Sequence, residues 1–137
     1  MDSIFYMIAL FLILFSTGGF IVYIIKQRER IFLFAYIVLC AGFIFHSISL
    51  IISYYHLGIA PVISLKSSLS FFAWCITGVY LVFHARFRLM VLGSFVAPLA
   101  AVLMIISSFI PGAEAGFNPM LRSAWLLVHV VTIFIGN

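Results

Sequence analysis

The first apolar run of the chain, IFYMIALFLILFSTGGFIVYII at residues 4–25, decides the fold class, because it is long enough to cross a bilayer as a helix. A transmembrane helix needs about 20 predominantly apolar residues, whereas the apolar core of a secretory signal has only about 7–15. Asp2 stands where a signal peptide would carry basic residues, and no small-residue cleavage pattern follows the run. We therefore expect this segment to be retained as a membrane helix.

The composition of the whole chain indicates the same environment. Of the 137 residues, 66% are apolar and only 7% are charged, and the mean hydropathy is +1.35. Soluble domains carry roughly 45–50% apolar and about 25% charged residues. The sequence therefore predicts an all-α integral membrane bundle rather than a soluble or disordered chain. The net charge of +4 comes from few residues, most of them in short gaps between apolar runs, so we do not expect nucleic-acid binding.

Charged and turn-forming segments divide the sequence into about five predicted transmembrane helices. Basic clusters form the first and third breaks, a segment containing Pro61 forms the second, and PGAEAGFNP at residues 111–119 forms the fourth. We predict a single transmembrane domain over residues 1–137, with spans near 3–25, 31–55, 68–85, 89–110 and 121–137. The last span is barely long enough to cross, so we expect the sequence to be one part of a longer protein.

The basic residues predict the orientation of the bundle. The first and third loops contain five of them, which are Lys26, Arg28, Arg30, Arg86 and Arg88. The second and fourth loops, with the start of the last span, contain Lys66, Glu114 and Arg122. Loops rich in Lys and Arg stay in the cytoplasm. The first and third loops are therefore predicted to be cytoplasmic, and the N-terminus is predicted to lie outside.

Polar and small residues recur at helical spacing inside the spans, on faces that we expect to point into the bundle. The faces are Gly42, His46, Ser49, Ser53 and His56 in the second span, Ser70, Trp74, Thr77, Leu81 and His84 in the third, and His129, Thr132 and Gly136 in the fifth. Gly93, Ala97 and Ala101 form a ladder of small residues suited to close helix packing in the fourth.

Two of the four histidines lie deep in their spans. At about 1.5 Å per residue, His46 is roughly 13 Å and His129 roughly 10 Å from the outer end of its span. A neutral imidazole at that depth needs a hydrogen-bond partner or a metal. Two such rings could ligate a haem iron axially, and haem is apolar enough to lie between helices. The alternative is that each ring only helps to pack helices, and the residues alone leave both possibilities open.

The sequence contains no motif for hydrolysis or group transfer. Its acidic residues, Asp2, Glu29 and Glu114, lie at ends or in loops, so proton pumping through buried acids is disfavoured. It has no phosphate-binding loop, Cys-x-x-Cys pair or His-Glu-x-x-His motif. Whether the chain is an enzyme is left open by its residues.

Three stretches, taken together, suggest a family. They are GIAP at 58–61 followed by SLSFFAW at 68–74, then RFRLMVLGSFVAPL at 86–99, and LRSAWLLVHV at 121–130. In this order and spacing they resemble the N-terminal half of the cytochrome c assembly family of the CcsA/ResC type, with its CcmC and HemX-like relatives.

The resemblance implies a function for the chain. Members of this family handle haem at the outer face of an energy-transducing membrane and support its attachment to apocytochrome c. The resemblance implies that His129 is an axial ligand of the haem iron, and that Trp125 and Trp74 are pocket or packing residues. It also implies a ResB/CcsB-like membrane partner subunit. The expected location is a bacterial inner (plasma) membrane, with an organelle membrane as the alternative.

The sequence departs from the family pattern at two points. Ser67 stands where an acidic residue often occurs, and the tryptophan-rich outer segment, the WWD motif, is not within the sequence. Two other functions therefore stay open: a non-catalytic HemX-like scaffold or regulatory subunit, and, with less support, a small solute transporter.

Overall fold

Four long helices make up most of the protein. The structure, a computed structural model, describes residues 2–57, 65–110 and 131–136. The helices are α1 (Asp2–Lys26), α2 (Glu29–Leu57), α3 (Leu65–Phe87) and α4 (Met90–Phe109), and residues 131–136 are also helical. All four long helices have the length and apolar composition needed to cross a membrane. The predicted all-α fold is confirmed, and these helices indicate a multi-pass membrane protein.

Each of the first four predicted spans corresponds to one helix. Helices α1 to α3 extend beyond the predicted bounds by one to three residues at each end, and α4 is one residue shorter at each end. The extensions include Glu29 and Lys66, because charged side chains can occupy helix ends at the membrane surface. Of the predicted fifth span at 121–137, only residues 131–136 lie within the described structure.

Neighbouring helices run antiparallel around the bundle. Tyr6 of α1 contacts Met104 near the end of α4, and Tyr23 contacts Met90 at its start. Helix α1 packs most extensively against α2, and α3 packs most extensively against α4. Contacts between α2 and α3 are sparse. The bundle is therefore closed on three sides and loosely joined along the seam between α2 and α3.

Two tight turns place the basic loops at the same end of the bundle. Gln27 follows α1 with a φ of 49°, and Arg88 follows α3 with a φ of 52°. Their backbone N–H groups donate to the carbonyls of Tyr23 at 2.7 Å and His84 at 2.8 Å. A left-handed residue that caps a helix in this way stops it abruptly. We call this the basic end of the bundle and the opposite end, where α1 begins, the Asp2 end.

Small residues of α4 allow the helices to approach closely. Ala97 is fully buried, and Gly93 and Ala101 are also buried, so all three residues of the predicted ladder lie inside the bundle. A Cβ added at Gly93 would lie 2.7 Å from Cε1 of Phe20 and closer still to the Tyr80 hydroxyl. Helix α4 therefore packs at Gly93 with no room for a larger residue.

Helix α1 contributes a buried face that the sequence did not mark. Ala9, Ile13, Ser16 and Phe20 are all fully buried. The hydroxyl of Ser16 donates to the Ala35 carbonyl of α2 at 2.7 Å. Because α1 is largely apolar on every side and its mid-helix hydroxyl residues, Ser16 and Thr17, are adjacent, its pattern could not distinguish the buried face from the lipid-facing one.

Candidate functional site

His46 lies at the centre of a polar cluster in the half of the bundle near the Asp2 end. Its side chain is fully buried, and its Nε2 atom lies 2.9 Å from the Ser70 hydroxyl. His46 belongs to the polar face predicted for the second span and Ser70 to that predicted for the third, so the two predicted faces are in contact at this hydrogen bond. Because the contacts between α2 and α3 are otherwise sparse, this hydrogen bond is one of the few links across their seam.

Helices α1 and α4 complete the surroundings of His46. The ring of Tyr6 contacts the His46 ring edge-on, with centroids 5.9 Å apart. The Tyr6 hydroxyl donates to the Met104 carbonyl at 2.7 Å. The hydroxyl of Ser107 donates to the Lys66 carbonyl at 2.8 Å. Side chains and carbonyls from all four long helices are therefore tied together near the Asp2 end.

The second ring nitrogen of His46 is a notable feature of this cluster. Within the described ranges, the buried Nδ1 atom has no hydrogen-bond partner. If Nε2–H donates to Ser70, Nδ1 carries a free lone pair, as a metal-ligating histidine does when its other nitrogen is held by a donor contact. If Ser70 donates instead, Nδ1 carries a buried N–H group that lacks an acceptor. A buried lone pair without a partner costs less free energy than a buried N–H group without an acceptor, so the tautomer with the proton on Nε2 is favoured.

The packing around His46 does not fit a haem, although Nδ1 is available in principle. The ring has no exposed surface, and His46 lines neither the groove beside Trp74 between α2 and α3 nor the groove between α3 and α4. An axial ligand must present a ring nitrogen to an open space that holds the porphyrin. The predicted ligand role of His46 remains a prediction, and the hydrogen bond to Ser70 favours a role in helix packing.

The buried face of α3 is offset from the predicted one. Its buried residues are Ser70, Ala73, Thr77 and Tyr80, whereas Trp74 and Leu81 are only half-buried. Both series follow helical steps of three and four and share Ser70 and Thr77, so spacing alone could not separate them. The small side chain of Ala73 suits the closely packed side, and the larger Trp74 lies at the edge beside α2.

Trp74 bridges the seam between α2 and α3. Its ring stacks on Phe43 at 5.4 Å and on Phe71 at 5.8 Å, and its indole N–H donates to the Ser47 hydroxyl at 2.7 Å. Above this stack lies a groove of about 410 Å³, lined by Ser47, Leu50, Ile51, Tyr54, Tyr55, Phe71 and Trp74. We call it the α2–α3 groove.

A second polar cluster, which the sequence analysis missed as a unit, lies near the basic end. The ring of His84 contacts Tyr36 at 4.6 Å, Phe32 at 4.9 Å and Tyr80 at 5.8 Å. The Tyr80 hydroxyl and Nδ1 of His84 are buried and find no hydrogen-bond partner in the described part of the chain. The regular aromatic spacing on α2 and α3 could have signalled this cluster. His56, by contrast, is exposed.

The predicted site residues His129 and Trp125 lie outside the described residues. The helical residues that follow them are placed against α3, since the ring of Phe134 packs on Phe72 with centroids 6.0 Å apart. Phe134 also borders a small groove between α3 and α4, with Val79, Leu92 and Val96. The chain therefore returns to the side of α3 that faces away from the α2–α3 groove.

The described residues contain no group of three or more His, Cys, Asp or Glu side chains arranged to hold a metal ion. The geometry instead defines a class of protein, a multi-pass helical membrane protein with hydrogen-bonded polar clusters inside the bundle.

Comparison with known proteins gives this class a more specific context. Over 82 residues, 55% of this chain, it is 35% identical to a protein named cytochrome c biogenesis protein CcsA from Chlamydomonas reinhardtii. Over 74 residues, 51% of this chain, it is 36% identical to a protein of the same name from Gloeobacter violaceus. These similarities confirm the resemblance to the CcsA type of cytochrome c assembly protein that the sequence motifs indicated.

The matched segments cover 23% and 22% of the two relatives, so the chain spans about a quarter of their length. No protein-family model matches the chain. No solved structure matches it either.

Proposed function

We propose that the chain is a membrane component of cytochrome c biogenesis that binds haem and presents it for attachment to apocytochrome c. The observation that carries this proposal is the similarity to two CcsA proteins over about half of the chain. The membrane-spanning helices support it, because haem delivered outside the cytoplasm needs a protein in the bilayer.

In this proposal His129 is the axial ligand of the haem iron, and Trp125 is part of the pocket beside it. Support comes from the LRSAWLLVHV stretch at 121–130, whose Trp and His match the family pattern. The adjoining helical residues contact α3 through Phe134 and Phe72. A bound haem supplies the group that is transferred to the apocytochrome, and the role of this chain is ligation and positioning.

The proposal includes a location and partners. The chain would act in a bacterial inner (plasma) membrane or in an organelle membrane, together with a ResB/CcsB-like membrane subunit and an apocytochrome c. The matched segments correspond to about a quarter of each relative, so the proposal assigns the remaining steps to other parts of the machinery.

A visible absorbance spectrum tests haem binding directly. We expect the full-length protein, purified from cells supplied with haem, to show a Soret band that His129→Ala weakens or shifts. His56→Ala is the matched control, because His56 is exposed at the end of α2 and no role is proposed for it. A colourless protein, or a spectrum that His129→Ala leaves unchanged, would contradict the proposal.

A second candidate function is a HemX-like scaffold or regulatory subunit without haem ligation. The closed packing around His46 favours it, since the buried histidine is hydrogen-bonded to Ser70 rather than open to a ligand. This function predicts that His129→Ala retains cytochrome c maturation, whereas Gly93→Ala disturbs the bundle and abolishes it. A small solute transporter, the third possibility, predicts solute flux in reconstituted vesicles.

A further inference from the structure

The seam between α2 and α3 is linked by hydrogen bonds at two adjacent residues of α2. Nε2 of His46 lies 2.9 Å from the Ser70 hydroxyl. The hydroxyl of Ser47 accepts the indole N–H of Trp74 at 2.7 Å. Because α2 and α3 pack against each other less than the other neighbouring helices do, these two contacts have a large share in holding the seam closed.

The closed seam suits a neutral imidazole and disfavours an imidazolium. The His46 ring has no exposed surface, and its Nδ1 atom has no hydrogen-bond partner among the described residues. In the protonated ring both nitrogens are donors, so Nδ1 would carry an N–H group without an acceptor. The ring would also carry a positive charge in an apolar surrounding. Each of these changes costs free energy at a buried position.

The groups around His46 do not offset a charge on its ring. Among the described side chains, those in contact with it are the Tyr6 ring on α1 and the Ser70 hydroxyl on α3, and neither is a carboxylate. Helix α4 contains no titratable side chain between Met90 and Phe109. The charged residues at this end are Asp2 and Lys66, each four residues, or about 6 Å, nearer the end of the bundle than the contacting residue of its helix. They are of opposite sign, so their combined effect on the ring is small.

We propose that the seam between α2 and α3 is a pH-sensitive junction, which is closed when His46 is neutral and opens at the Asp2 end when His46 is protonated. Opening lets the imidazolium reach water at that end of the bundle. The more extensive interfaces of α1 with α2, α3 with α4 and α1 with α4 stay in place. A solvated histidine gains its proton below a pH of about 6.5. Each pH unit below that value favours the open form by up to about tenfold, as long as the closed form stays neutral.

The fluorescence of Trp74 reports on the seam, because opening breaks its hydrogen bond to Ser47 and its stack on Phe43. The sequence contains two tryptophans, so Trp125→Phe leaves Trp74 as the single tryptophan of the full chain. In detergent, we expect the emission of Trp74 to change reversibly between about pH 8 and about pH 5, while circular dichroism shows an unchanged helix content. Unchanged emission, or a change that coincides with loss of helix, would overturn the proposal.

Matched histidine variants identify the group that titrates. His46→Gln keeps a side chain that can hydrogen-bond to Ser70 but cannot take up a proton, so we expect it to abolish the transition. His56→Gln removes an exposed histidine at the end of α2, and His84→Gln removes the half-buried histidine of the second polar cluster. Both of these controls should retain the transition. An equal transition in His46→Gln, or its loss in either control, would contradict the assignment to His46.

Ser70→Ala provides a test that retains the titrating ring. Loss of the hydroxyl weakens the closed seam, so the transition should move to higher pH, by up to about one unit for each tenfold loss in the equilibrium for closure. Ser108→Ala should leave its position unchanged, because the Ser108 hydroxyl bonds within α4. A transition at the same pH in Ser70→Ala and the parent would also overturn the proposal. The transition requires no haem, so the absence of haem ligation by His129 would leave it intact, and the two proposals fail separately.

Discussion

His46 and Ser70 show how a polar residue can be stable in the apolar centre of this bundle. The imidazole is removed from solvent, and its Nε2 atom is within hydrogen-bond distance of one side-chain hydroxyl on the neighbouring helix. A buried polar group without a partner costs free energy, so removal of the hydroxyl has a larger effect than its small size suggests. The pair therefore contributes both to stability and to the choice of which faces of α2 and α3 meet.

We expect Ser70→Ala to lower the free energy of unfolding by about 1–3 kcal/mol, because Nε2 of His46 loses its partner inside the bundle. Thermal unfolding of the purified protein in detergent measures this loss. Ser108→Ala is the control, since Ser108 is exposed and its hydroxyl donates to the carbonyl of Met104 within its own helix. Equal stability of Ser70→Ala and Ser108→Ala would show that the hydrogen bond is unimportant.

Gly93 is the residue at which we expect the smallest substitution to have a large effect. In Gly93→Ala the new methyl group would lie 2.7 Å from Phe20 and closer to the Tyr80 hydroxyl, so α1 and α3 must move away from α4. Overpacking of this kind costs about 1–3 kcal/mol.

Gly18→Ala is the matched control for Gly93→Ala, because a Cβ at Gly18 meets nothing within 4 Å. There, replacement of glycine by alanine within a helix should raise stability by up to about 1 kcal/mol. The melting temperatures of the two variants in the same detergent should therefore change in opposite directions. A Gly93→Ala protein as stable as the parent would contradict the close packing described for α4.

At the scale of the helices, apolar length predicted the first four helices well, because crossing a bilayer imposes a minimum length on each helix. The buried faces were predicted less completely. Polar residues identified the His46 side of α2, whereas α1 offered little contrast between its faces. On α3 the buried residues are Ala73 and Tyr80, where Trp74 and Leu81 were predicted. Which of two adjacent faces is buried depends on the fit between helices, and that fit is not encoded in spacing.

The turn after α1 yields a prediction at the same scale. Gln27 adopts a left-handed conformation, which costs an ordinary residue about 1–2 kcal/mol relative to its preferred backbone conformation. Gln27→Gly should therefore raise the stability by about 0.5–1 kcal/mol, since the gain is partly offset by the greater freedom of glycine in the unfolded chain.

Gln27→Val provides the opposing substitution, because a β-branched residue is especially unfavourable in a left-handed conformation. Thermal unfolding should rank the proteins as Gln27→Gly, parent and Gln27→Val, from most to least stable. The reverse order would mean that the turn differs from the one described here. Neither substitution changes the charge of the first loop.

At the scale of the whole molecule, the structure gathers all five loop-one and loop-three basic residues at one end of the bundle. The first and third loops lie at the same end because two antiparallel helices, α2 and α3, separate them. The orientation prediction assumed that these two basic loops lie on the same side of the membrane. The α2–α3 groove and the aromatic cluster around His84 were not foreseen, because each depends on residues from two helices whose relative rotation the sequence does not state.

The predicted orientation can be tested by cysteine labelling in vesicles of known sidedness. We expect Gln27→Cys, at the basic end, to react with a membrane-impermeant maleimide only from the cytoplasmic side. Tyr55→Cys, at the Asp2 end and 80% exposed, should react only from the opposite side. Labelling with the opposite sidedness at both positions would invert the bundle and place His129 toward the cytoplasm, which would be incompatible with outward presentation of haem.

The measurement that tests the central claim most directly is the content of covalently haemylated cytochrome c in cells that lack the full-length protein. Haem staining of membrane proteins after denaturing electrophoresis should show loss of the c-type cytochromes. The unaltered protein and His56→Ala should restore them, whereas His129→Ala should not. Normal c-type cytochromes in the deficient cells would contradict a role in cytochrome c biogenesis, and full restoration by His129→Ala would contradict haem ligation by that residue.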